Sequence, residues 1–186
     1  SYQAYKGIPD FRKAIAEWTK KTYQVELNPE TELLPLIGSK EGILHISMAF
    51  LNNGDEVLIA DPSYPTYSSV TNLAGGIIKK YNLTEDNNWQ PNIEELKAMD
   101  LSKVKIMWLN YPNMPTGAKA DKKVFEELIN LALEKKFLLC HDNPYSLVLN
   151  TDKPTSILSL PNAKEVCLEL NSLSKSHNMA GWRIGW

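Results

Sequence analysis

The chain has 186 residues, 43% of them hydrophobic and 23% charged, which is ordinary for a globular protein that buries a core. Its formal net charge of −2 argues against a surface for nucleic acid or for an anionic membrane. No apolar run is long enough to span a bilayer, and the start shows no signal-peptide pattern. Cys140 and Cys167 both lie in apolar runs, which is typical of buried thiols rather than of a disulfide or a metal site. We therefore expect one cytoplasmic domain.

Hydrophobic patterns divide the first half of the chain into alternating elements. Apolar residues at helical spacing predict helices over residues 9–21, 43–51 and 66–74, and short apolar runs predict strands over residues 31–37, 57–60 and 77–81. The last of these strands carries two lysines, as strands at the edge of a sheet often do.

The second half continues the alternation. We predict helices over residues 92–99 and 122–135, the second capped by Asp121, and strands over residues 104–109, 137–140 and 165–170. Strands that alternate with helices imply βαβ units and a mostly parallel sheet with right-handed crossovers. The sequence therefore predicts an α/β fold, a three-layer αβα domain over residues 1–186. Both ends look cut, because the chain opens without Met and stops at Trp186 inside an apolar pattern.

Lys175 is the first candidate for chemistry. It lies among small residues just after the apolar run at 165–170, so we expect it on a loop past the end of a strand. Open α/β sheets bind their ligands there. If its neighbours remove it from water, its pKa falls and its amine becomes a nucleophile or a base. The plain alternative is a solvated loop lysine.

Two further segments suit a phosphate. Gly38-Ser39-Lys40 opens a predicted helix, whose free N–H groups and dipole attract anions, although every helix has such an end. Arg183, eight positions after Lys175 and between two glycines, can clamp a phosphate or form an ion pair on a strand. The chain has neither a P-loop nor a dinucleotide-binding fingerprint.

Three more side chains could bind a planar ring that contains nitrogen. Tyr64, between two prolines, can stack on such a ring or be an ordinary core or surface aromatic. Asp142, at a strand end, can pair with a cationic ring nitrogen or serve the turn at Asn143-Pro144, and Tyr145 can reach the same ring. With the phosphate segments and Lys175, these groups match what pyridoxal 5′-phosphate requires.

The order and spacing of these motifs also resemble a known family. The chain is similar, over its whole length, to the large domain of the class I and II (fold type I) pyridoxal-phosphate-dependent aminotransferases, such as the aspartate and aromatic aminotransferases. The resemblance implies cofactor contacts for ten residues: Tyr2, Ser39, Lys40, Tyr64, Asn113, Asp142, Tyr145, Ser172, Lys175 and Arg183. It implies catalytic roles for Lys175, as the Schiff-base lysine, and for Asp142 and Tyr145. It also implies a homodimer in which Tyr2 reaches the cofactor of the neighbouring subunit.

One position departs from the family pattern. Where the family usually has the asparagine of an Asn-Pro-Thr-Gly motif, which contacts the cofactor ring and the substrate, this chain has Met114. Asn113 or Asn110 takes over that contact, or the contact is lost, and we favour Asn113. The family's N-terminal arm and C-terminal small domain have no counterpart in these 186 residues.

The resemblance implies transamination between an amino acid and a 2-oxo acid, in ping-pong fashion through Lys175. The same residues would serve a carbon–sulfur lyase or an enzyme similar to 1-aminocyclopropane-1-carboxylate synthase, because a fold does not determine the reaction. A cofactor-binding sensor domain of a transcription regulator is the alternative from another class, and a nucleotide-binding α/β module is a further one.

Overall fold

The computed structural model describes residues 4–148 and 152–186. Its centre is a sheet of five parallel strands: β1 (Glu56–Asp61), β2 (Ile77–Asn82), β3 (Val104–Asn110), β4 (Leu138–Asp142) and β5 (Cys167–Leu170). Their order across the sheet is β2-β1-β3-β4-β5, so β2 lies at an edge, as its lysines predict.

Seven α-helices occur in the described residues: α1 (Pro9–Tyr23), α2 (Ser39–Phe50), α3 (Pro65–Leu73), α4 (Ile93–Ala98), α5 (Lys122–Lys135), α6 (Ala163–Val166) and α7 (Leu173–Ser176). Their ends follow local chemistry. Proline opens α1 and α3, where its missing N–H costs nothing. The Asp121 carboxylate accepts from the Lys123 N–H at 2.8 Å and caps α5, as predicted.

Alternating strand residues pack into separate cores on the two faces of the sheet. Leu58 and Met107 belong to the core that includes residues of α4 and α5. Their neighbours Val57 and Ile106 belong to the core that includes residues of α2 and α3. Because successive strand residues point to opposite faces, both cores come from the same strands. The predicted three-layer αβα architecture is confirmed.

The predicted strand over residues 31–37 is wrong. This segment forms no ladder, and only Leu36 makes an isolated bridge, to Gly185. Pro35 has no N–H to donate, and the buried Leu33 packs in a small cluster with Ile15 of α1 instead of joining the sheet. The apolar run before Lys175 is likewise divided, because its first part completes α6 and only Cys167–Leu170 forms a strand.

The last residues of the chain fold back between two earlier segments. Gly185 and Leu36 exchange backbone hydrogen bonds of 2.8 and 3.0 Å, while Trp186 and Asn171 exchange bonds of 2.8 and 3.1 Å. The Trp186 ring packs edge-on to Trp18 of α1, with 5.3 Å between ring centroids. This return brings the start of α2, the end of β5 and Gly185 together.

Two classes of feature are not found in the part of the chain that the structure describes. None of the described helices combines the length and apolarity needed to cross a membrane. Residues 4–148 and 152–186 also contain no cluster of three or more His, Cys, Asp or Glu side chains arranged to hold a metal ion.

We expect Leu128→Ala in α5 to lower the free energy of unfolding by about 2–5 kcal/mol, because Leu128 is fully buried and its loss leaves a cavity. Leu73→Ala, at the 69% exposed end of α3, is the matched control and should change stability by less than about 0.5 kcal/mol. Urea denaturation of the full-length protein measures both. Equal effects of the two substitutions would contradict the core assignment.

Candidate active site

The site lies where the parallel strands end. The register pairs Asn110 of β3 with Asp142 of β4, and Asp142 with Leu170 of β5. The segments that follow these strands, which carry Asn113, Tyr145 and Lys175, therefore leave the sheet along one edge, where open α/β sheets bind ligands.

Asp142 is the buried acid of this edge. Only 4% of the residue is exposed, and its Oδ2 accepts a hydrogen bond of 2.8 Å from the Tyr67 hydroxyl. Its Oδ1 is buried and has no hydrogen-bond partner among the described residues. Burial raises the pKa of this carboxyl to about 6, although the Tyr67 hydrogen bond and His141 lower it. A buried acceptor that lacks a partner suits a ligand with a cationic N–H group.

Tyr67 is a site residue that the sequence analysis missed. Its ring is stacked on Trp108 of β3, with 5.2 Å between centroids and 9° between planes, and is almost fully buried. This packing fixes the hydroxyl that holds Asp142. Tyr64 and Tyr67 lie three positions apart across the start of α3, and that spacing is the sequence signal that places both rings on one side.

Tyr64 and Tyr145 are in the same surroundings as Asp142. The Tyr64 ring lies edge-on to Tyr67, at 5.7 Å, and Lys40 Nζ is 5.5 Å from its centroid. Burial acts to raise the pKa of Tyr64, but the hydrogen bond and charge of Lys40, together with a hydrogen bond of Thr66, act against it, and the pKa is lowered. Burial, the Asp142 charge and Tyr64 raise the pKa of Tyr145. The three residues predicted to contact the ring, Tyr64, Asp142 and Tyr145, therefore lie close enough to affect one another's pKa.

A cradle for an anion forms beside this space. Gly38, at φ 79°, precedes α2, whose first N–H groups receive no side-chain cap. A Cβ on Gly38 would lie 2.4 Å from Arg183 Nη2, so the guanidinium lies directly against this helix start. Arg183 Nη1 also donates to Ser174 Oγ at 3.4 Å, and Ser172 Oγ caps α7 by accepting from the Ser174 N–H. The helix N-terminus, the cation and the hydroxyls together suit a phosphate.

Lys175 is placed close to this cradle but not as the sequence analysis expects. It belongs to α7, one turn of helix after β5, rather than to a loop. Its side chain is exposed, which agrees with the alternative of a solvated lysine. Ser172 begins the same turn of helix and is buried, so the lysine extends outward from a fixed base.

The geometry does not support Asn113 as a substitute for the family's ring-contacting asparagine. Its amide oxygen accepts from the Thr116 hydroxyl at 2.8 Å and its amide nitrogen donates to the Asn110 carbonyl at 3.2 Å. Asn110 donates to the Asp142 carbonyl and accepts from the Met114 N–H. Both amides therefore stabilise the turn after β3. Tyr2, the predicted contact to a neighbouring subunit, lies outside the described residues.

Comparisons with known proteins identify the family of this chain. The family profile of the class I and II aminotransferases matches residues 1–186. The LL-diaminopimelate aminotransferase of Dehalococcoides mccartyi is 48% identical over 185 residues, which are 99% of this chain and 48% of the relative. Substrate-bound BacF from Bacillus subtilis is 39% identical with a TM-score of 0.95, and the aromatic aminotransferase from Pyrococcus horikoshii is 33% identical with a TM-score of 0.92. Both matches include all of this chain. They cover 47% of the BacF chain and 50% of the aromatic aminotransferase chain.

The chain therefore belongs to the class I and II aminotransferases. The predicted family and α/β fold class are confirmed, and pyridoxal 5′-phosphate is the cofactor of the family. The chain spans about half the length of the curated relatives it matches.

Gly185→Ala should damage the anion cradle. A Cβ at this position would lie 2.7 Å from the Asn171 carbonyl oxygen and 2.8 Å from the Ser39 nitrogen, and these backbone atoms are held in place. We expect a loss of about 1–3 kcal/mol of stability, and affinity for pyridoxal 5′-phosphate weaker by roughly tenfold in equilibrium titrations. Gly181→Ala is the control, because nothing lies within 4 Å of its Cβ. A Gly185→Ala variant that matches this control would contradict the packing.

Asp142 should make the stability of the unliganded protein depend on pH. Because burial raises its pKa to about 6, the folded state holds the proton more tightly than the unfolded chain does. Its contribution to the free energy of unfolding therefore falls as the pH rises, by about 2 kcal/mol between pH 4 and pH 7. Asp142→Asn removes this dependence, so its stability relative to the unsubstituted protein should rise across that range. A constant difference in urea denaturation would be inconsistent with a buried, titrating Asp142.

Proposed function

We propose that this chain is the cofactor-binding large domain of a pyridoxal-phosphate-dependent aminotransferase that transfers an amino group between an amino acid and a 2-oxo acid in ping-pong fashion. The observation that supports this most is the buried Oδ1 of Asp142, which has no partner among the described residues. The Asp142 charge acts on both Tyr64 and Tyr145, and Lys175 follows the neighbouring strand at the same edge of the sheet.

The residues present fit each part of that cofactor. Tyr64 would flank the ring, Asp142 would pair with its nitrogen, and Tyr145 would contact its hydroxyl. The backbone of Ser39 and Lys40 at the start of α2, with Ser172 and Arg183, would hold the phosphate. This assignment is supported by the position of Arg183 against Gly38 and by the uncapped N–H groups of α2.

The bound cofactor supplies an electron sink for the carbanion that forms at the α-carbon of an amino acid. Lys175 would bind the cofactor's aldehyde carbon through Nζ with loss of water and, once an amino acid has displaced it, would carry a proton at Nζ as general acid and base. Asp142 would keep the ring nitrogen protonated through an ionic hydrogen bond. Tyr67 orients Asp142 by donating to its other oxygen.

The names of the relatives suggest the first substrate to test. Several curated relatives, at 42–48% identity, are LL-diaminopimelate aminotransferases. LL-diaminopimelate is therefore the amino donor we would try first, with a panel of 2-oxo acids as acceptors. A carbon–sulfur lyase, an enzyme similar to 1-aminocyclopropane-1-carboxylate synthase or a regulator's sensor domain would use the same cofactor contacts.

We also propose a homodimer in the cytoplasm, with Tyr2 directed to the partner's cofactor. Large apolar side chains are exposed along joined segments, including Tyr5 and Ile8 near the start, Ile37 before α2, and Trp182 near Arg183. These segments are connected through the close approach of Gly7 to Pro35 and the bridge between Leu36 and Gly185. Exposed apolar patches of this kind commonly mark protein interfaces.

Loss of the Lys175 amine tests the function directly. We expect the full-length protein to gain an absorption band at the border of the visible and ultraviolet when pyridoxal 5′-phosphate is added, and Lys175→Ala to lack the covalent band and lose activity by on the order of a thousandfold. Lys13→Ala, which removes an exposed lysine from α1, should behave like the unsubstituted protein.

The products separate the alternatives. A transaminase converts one amino acid to its 2-oxo acid and leaves the cofactor as the pyridoxamine form, whereas a lyase releases pyruvate and ammonia. A sensor domain shows the band without turnover. A covalent band that survives in Lys175→Ala would overturn the assignment of Lys175.

A further inference from the structure

His141 lies beside Asp142 on β4 but points to the other face of the sheet. Its side chain is completely buried and packs edge-on to Phe125 of α5, with 5.1 Å between ring centroids. A buried histidine among apolar residues is usually neutral, because burial disfavours the charged form. The hydrogen bonds of this one point to a different state.

Both ring nitrogens of His141 face oxygen atoms that accept hydrogen bonds. Nε2 lies 2.8 Å from the carbonyl oxygen of Tyr111, which can only accept, so Nε2 carries a hydrogen. Nδ1 lies 2.9 Å from Oε2 of Glu169 on β5. One proton is therefore shared between Nδ1 and that carboxyl group, and its position decides whether His141 is charged.

The surroundings of Glu169 favour its ionised form. Its side chain is 2% exposed, and its Oε2 also accepts from the Ile157 N–H at 2.9 Å, while Oε1 accepts from Asn171 Nδ2 at 3.2 Å. Donors on both oxygens stabilise a carboxylate. These contacts favour the arrangement in which the shared proton lies on Nδ1 and His141 is positively charged.

We propose that His141 is a positioning residue: its buried positive charge, balanced by Glu169, keeps the adjacent carboxylate of Asp142 ionised, ready for a cationic ligand. The inference rests on the proposed function, because only an ionised Asp142 can form an ionic hydrogen bond to the ring nitrogen. It assigns a role in that function to His141, a residue that does not contact the cofactor.

The charges around Asp142 are consistent with this role. Tyr67 and His141 act on Asp142 itself, and both lower its pKa. The titratable groups described around them are Tyr64 at α3, Tyr81 of β2, Lys40 of α2 and Tyr145 after β4. The phenols are neutral at neutral pH and Lys40 acts on Tyr64, so His141 is the cation that acts on the buried carboxyl. Its effect lowers the pKa of Asp142, in opposition to burial.

The pair faces few other charged groups. Around His141, β3 contributes the Tyr111 carbonyl just past its end, α5 contributes the Phe125 ring, and β5 contributes Glu169. Beyond Glu169, Asn171 continues the polar contacts to the buried hydroxyl of Tyr23, at 3.4 Å. A substitution at either member of the pair therefore removes or strands one specific charge.

The test is a nuclear magnetic resonance titration of the full-length protein without cofactor, with ¹⁵N-labelled histidine and ¹³C-labelled aspartate carboxyls. We expect the His141 signals of the unsubstituted protein to show hydrogen on both ring nitrogens at pH 7. His141→Gln, which removes the positive charge, should raise the titration midpoint of Asp142 by roughly one pH unit, a tenfold change in its protonation equilibrium. Cys140→Ala, a buried and uncharged change on the same strand, should leave the midpoint unchanged.

A merely structural His141 would give a different result. A singly protonated ring in the unsubstituted protein, or an unchanged Asp142 midpoint in a folded His141→Gln variant, would overturn the proposal. The measurement of the His141 ring uses the unsubstituted protein, so it stays decisive even if the variant fails to fold. The titration is done without cofactor and is therefore independent of the Lys175→Ala test. If Lys175→Ala contradicts the proposed function, the result for His141 still stands.

Discussion

The burial of one carboxylate, Asp142, is the constraint on which this site depends. Removing such a group from water costs several kcal/mol unless partners replace the lost hydration. The fold supplies one hydrogen bond, from Tyr67, and leaves the second oxygen buried and open. The unliganded site is therefore poorly satisfied, and a cation with an N–H group completes it. Binding of that ligand should also stabilise the fold, because only the folded chain offers the open oxygen.

The alternation of side chains along β4 lets the protein support Asp142 without blocking it. Because consecutive strand residues point to opposite faces, His141 acts on Asp142 from the layer of α5, while Tyr67 reaches it from the layer of α3. The pair of His141 and Glu169 continues through Asn171 to Tyr23, whose hydroxyl lies 2.6 Å from Ser146 Oγ. The same polar contacts thus hold the segment after β4 and the segment after β5, which carry Tyr145 and Lys175.

Features with a local sequence pattern could be predicted from the sequence, whereas contacts between residues far apart in the chain could not. Hydrophobic period and caps such as Asp121 predict the layers, and the resemblance supplies the motifs around Asp142. The pairing of Tyr67 with Asp142 joins residues 75 positions apart, and no local pattern encodes it. The opposite error occurs at residues 31–37, where an apolar run is typical of a strand but packs on α1. Asn113 shows the same limit, since its neighbours in the turn use its amide.

The candidate site has a buried end and an exposed end. Asp142 is buried at the end of β4, whereas Lys175, on α7, is exposed, and the anion cradle lies between the start of α2 and Arg183. Under the proposed function, a ligand with a ring nitrogen, an aldehyde and a phosphate would reach all three groups with its nitrogen toward Asp142 and its aldehyde toward Lys175. Asp142 would then hold the buried end of the ligand, and the exposed lysine would remain where an amino acid can approach it. The proposal thus assigns the electronic tuning of the ring and the transfer of the proton to different side chains.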